Sequence, residues 1–70
     1  MDFDPNATRT AVLAAIADRR PRDARHALGA IDGHVLRGGS PPIPYTRAEW
    51  WDVSAGLARR IDACKGARVP

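Results

Sequence analysis

Apolar residues recur every three or four positions in three separate stretches of this chain, which is the spacing of one face of an α-helix. No segment alternates apolar and polar residues for long enough to form a strand. The pattern therefore predicts an all-α fold, a single compact three-helix domain over residues 1–70, with helices at about residues 5–19, 22–37 and 47–65. Residues 67–70 follow the last helix and are expected to fray. The core is expected from Val12, Leu13, Ile16, Leu28, Ile31, Val35, Leu36, Trp50, Val53, Leu57 and Ile61.

Residue types at the helix boundaries support these limits. Asp4 is a good N-cap for the first helix, and Pro5 suits the first helical position. Pro21 interrupts the apolar pattern, because proline disfavours helix in the residue before it and donates no backbone hydrogen bond. Gly38 and Gly39 end the second helix, one of them in the left-handed conformation that glycine adopts readily.

The connection between the second and third helices, residues 38–45, contains three prolines and is expected to be stiff. Its two large apolar residues, Ile43 and Tyr45, are expected to pack on the helices. Thr46 and Glu49 form the T-x-x-E pattern of a capping box, in which each side chain accepts from the other residue's backbone N–H. This pattern starts the third helix.

The small size of the chain limits its stability. A chain of 70 residues buries only about 60% of its unfolded surface, so self-association would add useful apolar burial. The lone cysteine excludes an intramolecular disulfide. No apolar run approaches the roughly 20 residues of a membrane span, and the acidic N-terminus differs from a signal peptide. We expect a cytoplasmic protein that does not enter a membrane.

Both tryptophans lie side by side at the start of the third helix. Trp50 belongs to the apolar stripe and is assigned to the core. Trp51 is turned by about 100° and shares a face with Ser54, Ala55 and Ala58. Either another helix packs on these small residues, or Trp51 is partly exposed beside a shallow patch, as in binding hot spots. The candidate protein-contact residues are Trp51, Ser54, Ala55 and Ala58.

Gly29 and Gly33 lie four residues apart on the second helix. Small residues at this spacing let two backbones approach closely. One interpretation is close packing of the second helix against the first or third within the monomer. The other is a seam between two copies of the chain, which makes a homodimer a candidate assembly.

The net charge is +3, and four arginines cluster where the first two helices meet. Arginine clusters bind phosphate and carboxylate groups. Arginine and alanine have GC-rich codons, so the composition of the source genome is an alternative explanation for the charge. The candidate contacts for nucleic acid or an acidic partner are Arg19, Arg20, Arg22 and Arg25.

No arrangement of residues indicates catalysis or a cofactor. His26 and His34 are eight residues apart and lie about 80° out of line on one helix, so they do not form a metal pair. Cys64 ends the apolar stripe and is interpreted as a small buried residue. We therefore expect no enzymatic activity, no catalytic residue, no metal and no cofactor.

The run from Ala30 to Gly39, followed by prolines and then Trp50, resembles a pattern in small actinobacterial and actinophage proteins. The run reads Ala30-Ile31-Asp32-Gly33-His34-Val35-Leu36-Arg37-Gly38-Gly39, and the resemblance covers about a third of the chain. No activity is attached to that pattern, so no site residue transfers. The resemblance implies a phage or mobile-element source, in which small proteins often bind and modulate a host protein.

These observations predict a small non-enzymatic protein–protein interaction module, a phage-encoded modulator or inhibitor that occludes a host protein. The alternative is a nucleic-acid-binding accessory or regulatory protein that uses the cluster from Arg19 to Arg25.

Overall fold

A computed structural model of the chain describes residues 3–66 and contains three helices, α1 (Pro5–Ala17), α2 (Pro21–Leu36) and α3 (Arg47–Gly66). The predicted all-α three-helix domain is confirmed, and the part of the chain that is described has no strand. The helix limits differ from the predicted ones by one or two residues. The prediction that residues 67–70 fray lies outside the described residues.

The start of α1 follows from its cap. The Asp4 carboxylate Oδ1 accepts hydrogen bonds from the backbone N–H groups of Asn6 and Ala7, at 3.0 and 3.2 Å. These bonds satisfy two of the four N–H groups that a helix leaves without partners at its N-terminus. Pro5 at the first helical position needs no such partner, because it has no N–H.

The end of α1 is two residues earlier than predicted, because Arg19 adopts a left-handed backbone conformation with φ 57°. The N–H of Arg20 donates to the carbonyl of Ala15 at 2.8 Å, and the N–H of Arg19 donates to Ile16 at 3.1 Å. This pair of bonds defines a Schellman motif, which closes the last turn of the helix. Left-handed backbone costs a residue with a side chain about 1–2 kcal/mol, so the motif ordinarily carries glycine at this position.

The helix α2 also ends in a Schellman motif, and here glycine occupies the left-handed position. Gly38 has φ 94°. The N–H of Gly39 donates to the carbonyl of His34 at 2.9 Å, and the N–H of Gly38 donates to Val35 at 3.0 Å. A Cβ atom at Gly39 would overlap the imidazole ring of His34, so a side chain at this position would require the His34 ring to move. The predicted left-handed C-cap is confirmed at Gly38.

The loop between α2 and α3 is anchored mainly by contacts with α1. The side chain of Pro42 is fully buried, and the carbonyl of Pro42 accepts from the N–H of Tyr45 at 3.0 Å. Tyr45 is half-buried against the core, as predicted, and its hydroxyl accepts from Arg9 at 3.2 Å. The prediction for Ile43 is wrong. Its side chain is 72% exposed, because the loop is held there through its backbone N–H, which donates to Asn6 at 2.7 Å.

The start of α3 is a capping box, as predicted. The N–H of Glu49 donates to the hydroxyl of Thr46 at 3.1 Å, and the N–H of Thr46 donates to the Glu49 carboxylate at 2.8 Å. Both bonds lie at the surface and bury little area. The box therefore acts mainly by satisfying the N-terminal N–H groups of α3.

Thr46→Ala is expected to lower the free energy of unfolding by about 1 kcal/mol, because the orphan N–H of Glu49 loses its partner. Urea denaturation followed by circular dichroism measures the change. Thr10→Ala is the control, since the Thr10 hydroxyl only bonds back to the carbonyl of Asn6 within α1. Equal stability of the Thr46→Ala variant and the unmodified chain would contradict the role of the box.

The core forms where α2 packs against both other helices, whereas α1 and α3 touch each other little. The predictions that Leu13 and Leu36 belong to the core are wrong, because Leu13 is 37% exposed and Leu36 is 74% exposed. Because α1 packs mainly on one helix, only a narrow stripe of it is covered, and Ala15 takes the buried position there. No helix among the described residues is both long and apolar enough to cross a membrane. The buried apolar residues are Val12, Ala15, Ala24, Leu28, Ile31, Val35, Trp50, Leu57 and Ile61.

Candidate interaction surfaces

Two polar contacts set the antiparallel arrangement of α2 and α3. Near the start of α2, Arg25 forms an ion pair with Asp62 near the end of α3, at 2.6 Å. One and a half to two turns further along α2, Asp32 contacts Trp50 and Ser54 near the start of α3. The N-terminus of α2 therefore lies beside the C-terminal half of α3.

Asp32 is the centre of a hydrogen-bond network at the edge of the core. Its carboxylate accepts from the indole Nε1–H of Trp50 at 2.9 Å and from the hydroxyl of Ser54, also at 2.9 Å. No buried side-chain nitrogen or oxygen of the described residues is left without a partner. Sequence reasoning missed this network. The signal was present, because an indole N–H in a core needs an acceptor, and Asp32 adjoins the apolar stripe of α2.

The network corrects the predicted contact set at Ser54. Ser54 is only 5% exposed and donates its hydroxyl inward to Asp32, so it offers no surface to a partner. Trp50 is fully buried, which confirms its assignment to the core. Trp51 is 36% exposed. Of the two arrangements open to Trp51, the structure has the partly exposed one, with Ala55 exposed and Ala58 half-buried beside it.

The surface beside Trp51 continues onto α2. Gly29 lies between Arg25 and Asp32, two α2 residues whose side chains bond to α3, yet it is exposed and a Cβ atom there would meet nothing within 4 Å. A Cβ atom at Gly33 would meet only the side chain of Arg37, at 3.3 Å. The interpretation that these glycines serve close packing within the monomer is therefore wrong. A side chain at Gly29 would therefore extend into open space.

Leu36 and Trp51 lie at one end of this open surface. Leu36 is one helical turn after Asp32, and Trp51 is one turn before Ser54, so the Asp32–Ser54 contact places both at the same end. Leu36 is the most exposed large apolar side chain among the described residues. We call this surface the α2–α3 groove, and it consists of Gly29, Leu36, Trp51, Ala55 and Ala58.

The opposite end of the bundle is basic, but its charges are partly paired. Arg20 bonds with both Asp18 and Asp23, at 3.2 and 2.9 Å. The bonds to Asp23 and Asp18 raise the pKa of the Arg20 guanidinium, because both carboxylates favour its charged form. Arg25 is paired with Asp62. Two of the four arginines in the predicted cluster are thus held by carboxylates of the chain itself.

The fold adds two arginines to this end that the predicted cluster did not include. Arg59 and Arg60 lie in the C-terminal half of α3, next to the start of α2. Among the described residues, Arg19, Arg22, Arg59 and Arg60 have no carboxylate oxygen within 4.0 Å. The signal for Arg60 was available in principle, because three helices joined by short connections alternate in direction and bring the ends of α1 and α3 together.

A shallow pocket of about 380 Å³ opens between the C-terminal ends of α1 and α3. Arg19 comes from the Schellman motif of α1, and Arg60 comes from α3. The rest of the lining is apolar apart from the Cys64 thiol, which is half-buried rather than part of the core. The pocket is lined by Ile16, Ala17, Arg19, Arg60, Ala63 and Cys64.

The two histidines lie in different environments. His34 is half-buried, and its ring stacks at a tilt on Phe3 with 4.9 Å between centroids, whereas His26 is exposed. In the described part of the chain, no group of three or more histidine, cysteine, aspartate or glutamate side chains converges as a metal site.

No protein-family model matches this chain, and the searches of curated proteins and of solved structures find no match either.

Proposed function

We propose that this protein is a small non-enzymatic interaction module that binds an apolar helix of a partner protein in the α2–α3 groove. The observation that carries the proposal is the exposure of Trp51 and Leu36 at one end of a surface whose floor is made of Gly29, Ala55 and Ala58. Tryptophan supplies a large contact area at low conformational-entropy cost and is enriched in binding hot spots.

The small residues of the groove explain why the proposed occupant is a helix. Gly29 on α2 has no side chain, and Ala55 on α3 is exposed and carries only a methyl group. Small residues let the backbone of a second helix approach closely, so dispersion contacts form along its length. Trp51 and Leu36 would then pack over one end of that helix.

We further propose that binding acts by occlusion, covering a surface that the partner uses elsewhere. The resemblance to small actinophage proteins supports a host protein as the partner. We expect the interaction to take place in the cytoplasm, consistent with the single thiol of the chain.

Trp51→Ala is expected to weaken partner binding by about 2 kcal/mol or more, because truncation removes the largest exposed anchor of the groove. Affinity capture from the source cell with each variant identifies the partner, and titration of the purified partner measures the dissociation constant. Ala55→Arg is expected to reduce binding as well, since a long charged side chain would fill the groove without removing any buried group.

Leu13→Ala is the matched control, because Leu13 on α1 is 37% exposed and Trp51 is 36% exposed. The Leu13→Ala variant should bind as the unmodified chain does. The proposal fails if Trp51→Ala and Ala55→Arg are both folded by circular dichroism and bind the captured protein normally.

A second copy of the chain is the other occupant that Gly29 and Gly33 would suit. Sedimentation at micromolar concentration distinguishes the two occupants. If the unmodified chain is a dimer and the Ala55→Arg variant is a monomer, the groove is a homodimer seam. If the unmodified chain is already a monomer, the groove is free to bind a different protein.

Nucleic-acid binding at the basic end is the alternative function. Arg19, Arg22, Arg59 and Arg60 support it, but Asp18, Asp23 and Asp62 lie at the same end and occupy Arg20 and Arg25, which reduces the positive charge available to phosphates. Retention of DNA or RNA at about 50 mM salt, lost as the salt is raised, would favour this alternative.

A further inference from the structure

The pocket between α1 and α3 combines apolar walls with two arginines. Its walls are apolar, formed by Ile16, Ala17 and Ala63. Arg19 and Arg60 also line the pocket, and neither has a carboxylate of the described residues within 4.0 Å. At the same end of the bundle, Arg20 and Arg25 are both paired with aspartates. The two pocket arginines are thus available to an external anion.

The backbone at Arg19 indicates that its side chain has a role. The Schellman motifs that end α1 and α2 have the same two hydrogen bonds, yet α2 has Gly38 at the left-handed position and α1 has Arg19. Glycine at position 19 would remove the backbone strain at the end of α1. No carboxylate of the described residues pairs with Arg19 and so accounts for an arginine there. Strained backbone conformations of this kind cluster at ligand sites, where the side chain must point in a defined direction.

We infer that this pocket binds an acidic segment of a partner protein, with a carboxylate between Arg19 and Arg60 and a neighbouring apolar side chain against Ile16, Ala17 and Ala63. Arginine recognises carboxylates through paired N–H donors. The apolar walls would contact an apolar side chain of a peptide, which a small inorganic anion does not have. The inference rests on the proposed function in that the occupant is a protein.

The lining favours a peptide over a nucleic acid. Single-stranded nucleic acids bind through aromatic side chains on which bases stack, and the pocket has no aromatic residue. Asp18 and Asp62 lie close to the pocket along α1 and α3 and already hold Arg20 and Arg25. Two arginines that no described carboxylate pairs therefore remain at the pocket, which suits a carboxylate with an apolar neighbour better than a long phosphate backbone.

The test uses a short fluorescein-labelled peptide of alternating leucine and glutamate, titrated with the full chain by fluorescence anisotropy. Two matched peptides separate the contributions: one has glutamine for each glutamate, and the other has serine for each leucine. We expect saturable binding of the first peptide, and weaker binding of each matched peptide by about tenfold. Equal binding of the glutamine peptide would overturn the inference.

The variants Arg19→Gly and Arg60→Gln test the two arginines. Both are expected to weaken binding of the leucine–glutamate peptide by about tenfold, whereas Arg59→Gln, next to Arg60 but outside the lining, should bind as the unmodified chain does. Arg19→Gly is also expected to raise the melting temperature by a few degrees, because glycine suits the left-handed position. Higher stability together with lost binding is a result that a merely structural role for Arg19 would not produce.

Unchanged peptide binding in Arg19→Gly and Arg60→Gln overturns the inference. So does a single-stranded oligonucleotide that binds more tightly than the peptide and loses its binding in the same two variants. The Trp51→Ala variant distinguishes binding in the α2–α3 groove from binding in the pocket, because it leaves the pocket intact and should bind the peptide normally. If the peptide fails to bind while Trp51→Ala still loses the captured partner, only the pocket inference falls.

Discussion

Trp50→Ala is expected to lower the free energy of unfolding by about 3–5 kcal/mol, which is the usual loss for truncating a fully buried aromatic residue. Trp50 is 0% exposed and is the largest fully buried side chain of the described core. A domain of 70 residues has a free energy of unfolding of roughly 4–10 kcal/mol in total. The variant is therefore expected to be close to unfolded at room temperature. Urea denaturation followed by far-ultraviolet circular dichroism measures the loss without relying on tryptophan fluorescence.

The neighbouring tryptophan provides the control. Trp51→Ala is expected to cost about 2 kcal/mol of stability, less than Trp50→Ala, because Trp51 is 36% exposed and its indole makes none of the side-chain hydrogen bonds of the described residues. The two variants remove the same side chain from adjacent positions. Similar losses of stability in both would contradict the assignment of one tryptophan to the core and the other to the surface.

Asp32→Ala is expected to lower the free energy of unfolding by about 2–4 kcal/mol, because two donors inside the domain lose their acceptor. These donors are the indole N–H of Trp50 and the hydroxyl of Ser54, each 2.9 Å from the Asp32 carboxylate. Asp32→Asn keeps an acceptor oxygen and is expected to lose about half as much. Chemical denaturation of both variants measures the difference.

Asp23→Ala is the control for Asp32, since Asp23 is an exposed aspartate on the same helix whose ion pair with Arg20 lies at the surface. Exposed ion pairs contribute at most about 1 kcal/mol, so this variant should remain close to the unmodified chain. If Asp32→Ala is no less stable than Asp23→Ala, the network does not hold α3 against α2.

The Asp32 network also links the core to the proposed binding surface. A directional bond from the Trp50 indole N–H fixes how α3 is rotated about its axis. With Trp50 held inward, the next residue in the helix is turned by about 100°, which places Trp51 at the edge of the groove. A change at Asp32 that leaves the chain folded is therefore expected to alter the groove as well as the core.

Several features of the candidate surfaces followed from local sequence, and others did not. The different orientations of Trp50 and Trp51 follow from helical periodicity, which assigned Trp50 to the core but left Trp51 open between cover by a helix and partial exposure. The same periodicity made Ser54 a candidate contact residue, but it is buried and donates its hydroxyl to Asp32 on another helix. Periodicity carries no information about a polar partner that is distant in sequence.

The Arg cluster shows the same limit. Sequence proximity grouped Arg19, Arg20, Arg22 and Arg25, whereas the fold pairs Arg20 and Arg25 with aspartates and joins Arg19 to Arg60 across the pocket. Ion pairs and pockets between helices depend on how the helices are rotated against one another. That rotation comes from packing and is not visible in the spacing of charged residues.

The sequence alone determined the three helices, the caps at Asp4 and Thr46 and the left-handed turn at Gly38, because these depend on interactions within a few residues. It also determined which face of α3 is apolar. Only the tertiary structure decided that Leu13 and Leu36 are exposed, that Gly29 borders an open groove and that Arg19 takes a left-handed conformation beside Arg60. These outcomes depend on which stripe of each helix another helix covers, which is set by packing between residues far apart in the chain.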